Sequence, residues 1–588
     1  MPAVKSFSVI IAAALIFLCT AIDGKADENS VALVREQTDR WRAERRLVDM
    51  HQHVEFTPER LARAVRIMDG AGIGVSVSLG SGAVTPGPNG EPSEFERARR
   101  MTDELHPGRF VHDMILDYRG WDDDDFAERA AKQIEEGRRL GAAGLKEFKR
   151  LGLFLRDKNN ELIRPDDEKL DLVWAKCGEL GMPVSIHVGD PKAFWEPFDE
   201  TNERWAELKD HRNWWFGDPQ KYPPRMEIVE ALNRVIARHP RTTFVGVHFA
   251  NNPEDLAWVD ASLDKYPNMM ADLAARVPEL GRHDPAAVRE LFVKHQDRIL
   301  FGTDFQVYGR LILDSSGNEP PPTDFDALTF FDKHWRWLET QDRDWPHMTP
   351  IQGDWTISSI GLPPEVLRKI YFDNARKLLV RTLPAPVLKA SRLEGDIEID
   401  GDLSENAWRN ATPASLEYAL ADSSAEPELS TEVRSLWSDE FLYFSFSCPF
   451  TKLTVFDTSS EDERLGLWER DVVEMFIGID AEKPGRYAEF EVAPTNERLD
   501  VLVDLPEKDF GWESGFESAV NVDEASKRWI AEVRIPVASL APAKISKGSH
   551  LRLNLFRSDV AGGAFLAWNP TLRNTTHVPE RFGILELE

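Results

Sequence analysis

The sequence predicts an α/β TIM (β/α)8 barrel followed by an all-β antiparallel sandwich. Three observations predict it. Between Leu47 and Val380, short β-branched runs alternate with amphipathic helical stretches. The runs number eight, which is the count that closes a (β/α) barrel. Beyond Leu383 the helical period nearly disappears, and short alternating strands separated by Gly, Asp and Pro turns replace it.

In chain order, the first element is a leader. Phe7–Leu18 is almost wholly apolar, follows Lys5 and precedes a polar stretch. A run this short cannot span a bilayer, which needs about 20 residues, so residues 1–26 read as a secretory signal cleaved after Ala21 or, as preferred here, Ala26. Leu18 before Cys19 disfavours lipid attachment; an uncleaved anchor is the alternative. The chain is therefore expected to be exported, periplasmic or secreted, with no membrane contact after cleavage.

Residues 27–383 form the expected barrel. Its strands are Leu47–His53, Gly74–Leu79, Phe110–Leu116, Gly144–Phe148, Pro183–His187, Thr243–His248, Asn268–Asp272 and Ile299–Thr303. Between them lie helical stretches such as Pro58–Asp69, Asp124–Leu140, Arg225–Arg238 and Pro285–His295. The acidic run Asp122–Asp125 reads as a solvated helix start, where carboxylates suit the dipole. An open doubly wound sheet is the runner-up, but it usually carries a Gly-rich phosphate turn after its first strand, where His51-Gln52-His53 stands instead. Residues 384–392, with Pro384 and Pro386, read as a linker. Residues 393–588 supply the sandwich through Glu432–Trp437, Phe441–Ser447, Val472–Ile479, Tyr487–Val492, Trp529–Ile535 and Leu551–Arg557.

Composition narrows the function. The 588 residues carry 101 acidic and 71 basic side chains, a formal charge of −30, which repels nucleic acid and anionic lipid surfaces. After leader removal Cys177 and Cys448 remain, in different predicted domains, so this is not a disulfide scaffold.

His51 and His53 alternate on a strand and so point the same way. They fall at the strand's C-terminal end, where barrel active sites are built. His187 ends the fifth strand, His248 ends the sixth, and Asp304 follows the eighth in Phe301-Gly302-Thr303-Asp304. Five imidazole and carboxylate groups on one rim read as a metal site, whereas His239, His295 and His334 fall in helices as structural histidines do. The bland alternatives are a turn residue at Asp304 and a core histidine at His248.

The stretch Leu47–Leu379 resembles the amidohydrolase-related branch of the amidohydrolase superfamily. The matching text is Val48-Asp49-Met50-His51-Gln52-His53, the His187 and His248 strand ends, Phe301-Gly302-Thr303-Asp304 and Ile370-Tyr371-Phe372-Asp373-Asn374-Ala375-Arg376-Lys377-Leu378-Leu379. That branch holds aminocarboxymuconate-semialdehyde decarboxylase, aromatic-acid decarboxylases and lactonases. The resemblance implies that His51, His53, His187 and Asp304 hold one divalent metal, Zn or Mn, with His248 near the substrate. Such a ligand set leaves room for a metal-activated water. Asp304 and His248 are the expected catalytic residues, Asp304 taking a proton and His248 polarising a carbonyl or protonating a leaving oxygen. In some amidohydrolases a lysine at the place of Lys146, on the fourth strand, is carboxylated and bridges two metals; with the single metal the resembled branch implies, Lys146 is expected to bind a substrate carboxylate or to pair structurally with the neighbours of Glu147. The long connection Val188–Pro224, with Phe194, Trp195, Trp205, Trp214, Trp215 and Phe216, is a pocket wall or lid, or an aromatic mini-core of its own.

Residues Leu393–Glu588 resemble carbohydrate-binding module family 9. The carrying text is Ile399-Asp400-Gly401-Asp402-Leu403 with Trp408, then Trp468-Glu469-Arg470-Asp471-Val472-Val473-Glu474-Met475-Phe476-Ile477, Tyr487-Ala488-Glu489-Phe490-Glu491-Val492 and Val578-Pro579-Glu580-Arg581-Phe582-Gly583. Sugar-binding members sandwich a sugar between two tryptophans. Trp468 and Glu474 match one tryptophan and one acid of that slot. Thr576-His577 occupies the second tryptophan's stretch, and Glu491 stands where an arginine often contacts sugar. Trp408 and Trp529 read as core.

The expected function is a secreted metal-dependent hydrolase of a carbohydrate-derived lactone, ester or related small substrate. The alternatives are a metal-dependent decarboxylase of a small organic acid, disfavoured by an acidic balance with few rim arginines, and a non-catalytic exported sugar-binding protein.

Overall fold

The computed structural model describes residues 31–315, 320–457 and 463–588. The expected leader, residues 1–26, lies outside them. The chain divides into two compact units that meet between Pro384 and Ala385.

The first unit is a TIM-barrel-like parallel sheet. Its strands are β1 (Leu47–Val54), β2 (Ile73–Ala83), β3 (Phe110–Ile115), β4 (Gly144–Glu147), β5 (Val184–Ile186), β6 (Phe244–Gly246), β7 (Met269–Asp272) and β8 (Ile299–Leu300), hydrogen-bonded in chain order. Its two ends meet: Met50 N–H donates to Phe301 O at 3.0 Å, and Asp304 N–H donates to His51 O at 2.8 Å. The backbone then runs on beside β1 as Phe305–Val307, paired in parallel with Gln52–Val54. Gly302 sits at this seam, where a Cβ would lie 3.1 Å from His51 Cβ.

A helix follows each strand, and the local sequence fixes where each begins. Thr57 caps the helix Pro58–Ala71, accepting from Arg60 N–H, with Pro58 at the first turn. Ser93 with Glu96, and Thr323 with Asp326, form reciprocal capping boxes at Glu94–Leu105 and Asp324–Glu339. The acidic run Asp122–Asp125 precedes the helix Phe126–Arg139, and Arg129 pairs with Asp123 at 2.8 Å and Asp125 at 3.0 Å.

Two strand ends differ from expectation. The sixth strand stops at Gly246, because His248, Phe249, Ala250 and Asn251 all take left-handed backbone angles, with φ of 55°, 53°, 57° and 58°. The eighth stops at Leu300, and Asp304 is again left-handed at φ 57°.

The second unit is a curled sheet of 14 strands. The expected all-antiparallel sandwich requires two corrections. Val387–Arg392 pairs in parallel with both Thr431–Trp437 and Gly583–Leu587, and hydrogen bonding runs through it as one continuous sheet. The same strand occupies most of 384–392, the expected linker; Leu388 and Ala390 turn inward into the core while Lys389 and Ser391 face out. The Asp400-Gly401 turn is tied by the buried Glu532, which accepts from both backbone N–H groups at 3.0 Å and from Trp408 Nε1 at 2.8 Å. Trp408 and Trp529 are core residues. Cys177 and Cys448 are buried free thiols.

Candidate active site

The five rim residues gather at the C-terminal ends of the parallel strands. Donor atoms of His51, His248 and Asp304 lie within 4.8 Å of one another. His53 Nε2 is 3.4 Å from Asp304 Oδ1, and His51 Nε2 is 3.6 Å from the same oxygen. The ring of His187 sits 4.3 Å from that of His248. His248 therefore stands as close to the donor group as the expected ligands do, rather than behind it.

Hydrogen bonds fix which nitrogen each imidazole presents. His51 Nδ1 lies 2.8 Å from Asp272 Oδ2, and His248 Nδ1 lies 2.8 Å from the Ala274 carbonyl oxygen. The Ala274 carbonyl only accepts, and so does Asp272 as a carboxylate, so in that state each Nδ1 carries the hydrogen and each Nε2 keeps its lone pair. Burial holds His51 and His248 well below the usual imidazole range, His53 near 3 and His187 near 4. All four rings are thus neutral at pH 7, the form that ligates metal.

The carboxylates answer to the same burial. It pushes Asp304 up to about 7 and Asp272 up to about 7, with Lys146 opposing it in both. Lys146, itself buried, is lowered to about 8. Its Nζ lies 5.4 Å from the Phe148 ring centre, and its charged neighbours include Asp272, Asp304 and Asp113.

A metal fits this set. His187 Nε2 is buried 3.2 Å from Asp190 Oδ1 yet makes no hydrogen bond of acceptable angle, so a ring nitrogen is left aimed without a partner. Asp190 is itself engaged by Lys149 Nζ at 2.5 Å. Burial opposes its ionisation, but Lys149 and His187 outweigh that and hold it below the usual carboxylate range. Several neutral imidazoles and one carboxylate suit Zn or Mn better than an oxygen-preferring ion.

Four supporting residues escaped the sequence reading. Asp49 is buried on β1 and ties the seam: it accepts from His51 N–H and Thr303 N–H at 3.1 Å, Thr303 Oγ1 at 2.6 Å and Gln52 Nε2 at 2.7 Å. Asp272 accepts from His51 Nδ1–H and, through Oδ1, from His248 N–H at 2.8 Å. It ends a strand as a carboxylate, the same signal that singled out Asp304. Arg276 and Lys149 also reach the cavity, and Arg276 follows a left-handed Ala275 in a turn with no periodic signal.

The cavity holds about 260 Å³ and is lined by the five rim residues, Lys146, Lys149, Arg204, Arg276 and Tyr308, with Phe194 and Trp214 on the wall. That volume takes a small molecule rather than a polymer. The Val188–Pro224 connection serves as wall and as mini-core together. Phe194 and Trp214 stack with ring centres 6.5 Å apart, while Trp195, Phe216, Phe198, Trp205 and Trp215 pack among themselves.

In the second unit Trp468 is 42% exposed, and its ring lies 6.4 Å from that of Phe510, also exposed. His577 offers no second stacking face in place of tryptophan, since it lies on Phe476 and bonds Tyr487. Glu474 is buried on Val472–Gly478, beside Glu489 and Glu491.

Known proteins match each unit separately. The family profile described as Amidohydrolase matches residues 48–381, and the one described as Carbohydrate family 9 binding domain-like matches residues 399–588. An "Extracellular protein" of Arthroderma benhamiae is 26% identical over 175 residues, covering 27% of this chain and 78% of its own length. "Endo-1,4-beta-xylanase A" of Thermotoga maritima is 26% identical over 206 residues, covering 34% of this chain but 18% of its own. Among solved structures, 2,6-dihydroxybenzoate decarboxylase from Rhizobium is 17% identical, with 57% of this chain and 98% of that chain covered at a TM-score of 0.33. A family 9 carbohydrate-binding module from Caldicellulosiruptor kristjanssonii in complex with cellotriose is 16% identical, with 34% and 94% covered at a TM-score of 0.26. The first profile takes in more than half of the 588 residues, and on that match the chain belongs to the amidohydrolase family, carrying a carbohydrate family 9 binding-like domain behind its catalytic fold.

Proposed function

We propose that the protein is an exported metal-dependent hydrolase of a small carbohydrate-derived lactone or ester, acting at the mouth of a closed (β/α)8 barrel. The observation that carries this reading is the convergence of four neutral imidazoles and Asp304 on one small cavity. His51, His53, His187 and Asp304 would hold one Zn or Mn ion. When bound, that ion supplies Lewis acidity and a water of lowered pKa.

The chain's own residues do the rest. His248 keeps a lone pair on Nε2 because Nδ1–H is spent on the Ala274 carbonyl, so it takes a proton rather than donating one to a carbonyl oxygen. Asp304, hydrogen-bonded by Gln306 Nε2 at 3.2 Å, would exchange a proton with the attacking water or the leaving oxygen. Lys146 supplies fixed positive charge where an oxyanion develops. Phe194 and Trp214 offer apolar faces to a sugar-derived ring, and the second unit offers Trp468 to a separate sugar.

One observation favours the carboxy-lyase alternative. Arg276 donates from Nη1 to the Ala275 carbonyl and lines the cavity, as does Arg204, which supports a cationic partner for a substrate carboxylate. Turnover of the metal-loaded protein on lactone and ester panels, run beside aromatic and aliphatic acids with carbon dioxide detection, decides between the two. Ring opening without carbon dioxide supports hydrolysis. Carbon dioxide release with no lactone turnover overturns it.

A further inference from the structure

The barrel cavity holds two buried acceptors that the metal site does not use. Asp314 follows the strand Leu311–Leu313, which pairs antiparallel with Phe305–Val307, the stretch that leaves Asp304. Its backbone is left-handed at φ 64°, and Thr349 Oγ1 donates to its Oδ2 at 2.6 Å. Its Oδ1 is buried with no hydrogen-bond partner. Gln352, on the turn Pro350–Gln352, donates from Nε2 to the Ala275 carbonyl at 3.5 Å and leaves Oε1 buried and unpartnered in the same way. Both residues line the cavity, at 7% and 1% exposure. Their polar neighbours on that wall are already committed: Ser315 Oγ donates to Glu207, and Arg204 is held by Glu207 at 3.1 Å and by Glu279. A buried acceptor left without a donor costs the full desolvation of the group, so each of the two calls for a donor carried in by a ligand.

We propose that Asp314 and Gln352 form a subsite for the hydroxyl groups of a neutral ring, so that the cavity selects a polyhydroxylated substrate over a bare one. An ammonium donor is opposed by Lys146, Lys149 and Arg276, which line the same cavity. A carboxylate brings acceptors alone and would meet Gln352 Oε1 acceptor against acceptor. A hydroxyl is neutral and both donates and accepts, so it satisfies these oxygens while taking a hydrogen bond from the Arg276 guanidinium. Burial raises Asp314 well above the usual carboxylate range, and a hydroxyl meets the protonated form equally by accepting its O–H. Phe194 and Trp214 supply the apolar face that a sugar-like ring needs. The place of the ring rests on the hydrolase reading; the two unpartnered acceptors do not. The competing account is that water alone satisfies them.

The test uses the zinc-loaded full chain carrying Trp468→Ala, which removes the second unit's exposed stacking face. It is titrated by calorimetry with the cyclic polyol anhydroglucitol and with tetrahydropyran, the same ring without hydroxyls. The expected result is a Kd of about 1–10 mM for the polyol and binding at least about tenfold weaker for the bare ring. Gln352→Leu should weaken polyol binding by about 3–10-fold at unchanged zinc content, and Asp314→Ala carries the same test should Gln352→Leu fail to fold. In the same variants the ratio of kcat/KM on gluconolactone to that on δ-valerolactone should fall by a like factor. Because the titration needs no turnover, a chain that hydrolyses neither lactone yet binds the polyol through Gln352 overturns the hydrolase reading and keeps the subsite. Equal binding of the two rings, or undiminished polyol binding in the folded variants, overturns the subsite whatever the lactones do.

Discussion

Asp272→Asn tests whether the imidazoles are tuned for metal. Asp272 Oδ1 accepts from two backbone groups, His248 N–H at 2.8 Å and Ala274 N–H at 3.3 Å, while Oδ2 accepts from His51 Nδ1–H. An asparagine has one carbonyl oxygen, and the two backbone donors hold it in the Oδ1 position. Its NH₂ then meets His51 Nδ1–H, donor against donor. His51 relieves the conflict by moving its hydrogen to Nε2, the nitrogen 3.6 Å from Asp304, which removes the lone pair a metal needs. Loss of such an outer partner costs about 10–100-fold in metal affinity, or roughly 1.4–2.7 kcal/mol. The assay is competitive chelator titration of Zn²⁺ and Mn²⁺, with circular dichroism to establish that the variant is folded. A folded variant that binds within about threefold of wild type would falsify the tautomer argument.

Other expectations follow from the same geometry. The double variant His51→Ala/His53→Ala should lose both metal and turnover while keeping its secondary structure, and metal analysis showing full occupancy would remove these residues from the ligand set. His248→Asn should keep the metal and lose about 10²–10⁴-fold in turnover; steady-state kinetics with metal analysis checks both, and unchanged turnover would leave His248 a core histidine. Acid should weaken the first unit through His112, which is buried between Ser81 and Thr102 and lowered by burial, then by Arg99, to about 3. The unfolded ring titrates near 6.5 and binds the proton the folded ring refuses, so this contribution is intact above about pH 6.5 and falls as pH drops toward 3, by on the order of 2 kcal/mol between 6.5 and 5. Denaturant melts at pH 7 and pH 5 should show a smaller acid loss in His112→Gln, and an equal loss would contradict the assignment.

Much of the fold was legible because barrel strands and helices write different periods into the sequence. β1 was found from Leu47 with its two histidines in phase, and β7 was bounded correctly at Asp272. The turn at His248 is not legible: Phe249 and Ala250 carry no glycine signal for left-handed backbone, so the pattern reads as strand through His248. Gly246 is the local trace, since a Cβ there would meet Ala250 Cα at 2.9 Å. Val387–Arg392 was hidden by Pro384 and Pro386 just before it and by having few inward apolar residues, Leu388 and Ala390 among them. In the site, paired histidines are conspicuous, but Asp49, Asp272 and Arg276 matter through partners far away in sequence, which no local pattern records. Phe510 meets Trp468 for the same reason.

The left-handed run at residues 248–251 also sets an order of events on heating. Non-glycine residues in that region carry roughly 1–2 kcal/mol of conformational cost each, and here four are consecutive. Asp272 and the Ala274 carbonyl hold His248 in place, and the Asn251 amide helps by bonding the Val188 N–H and the Ile186 carbonyl. When thermal motion loosens those bonds, the segment gains by relaxing while the surrounding sheet still stands. The turn thus acts as a fuse: catalysis should fail at a temperature below the melting of the barrel, and cooling should restore it as long as the sheet has not opened.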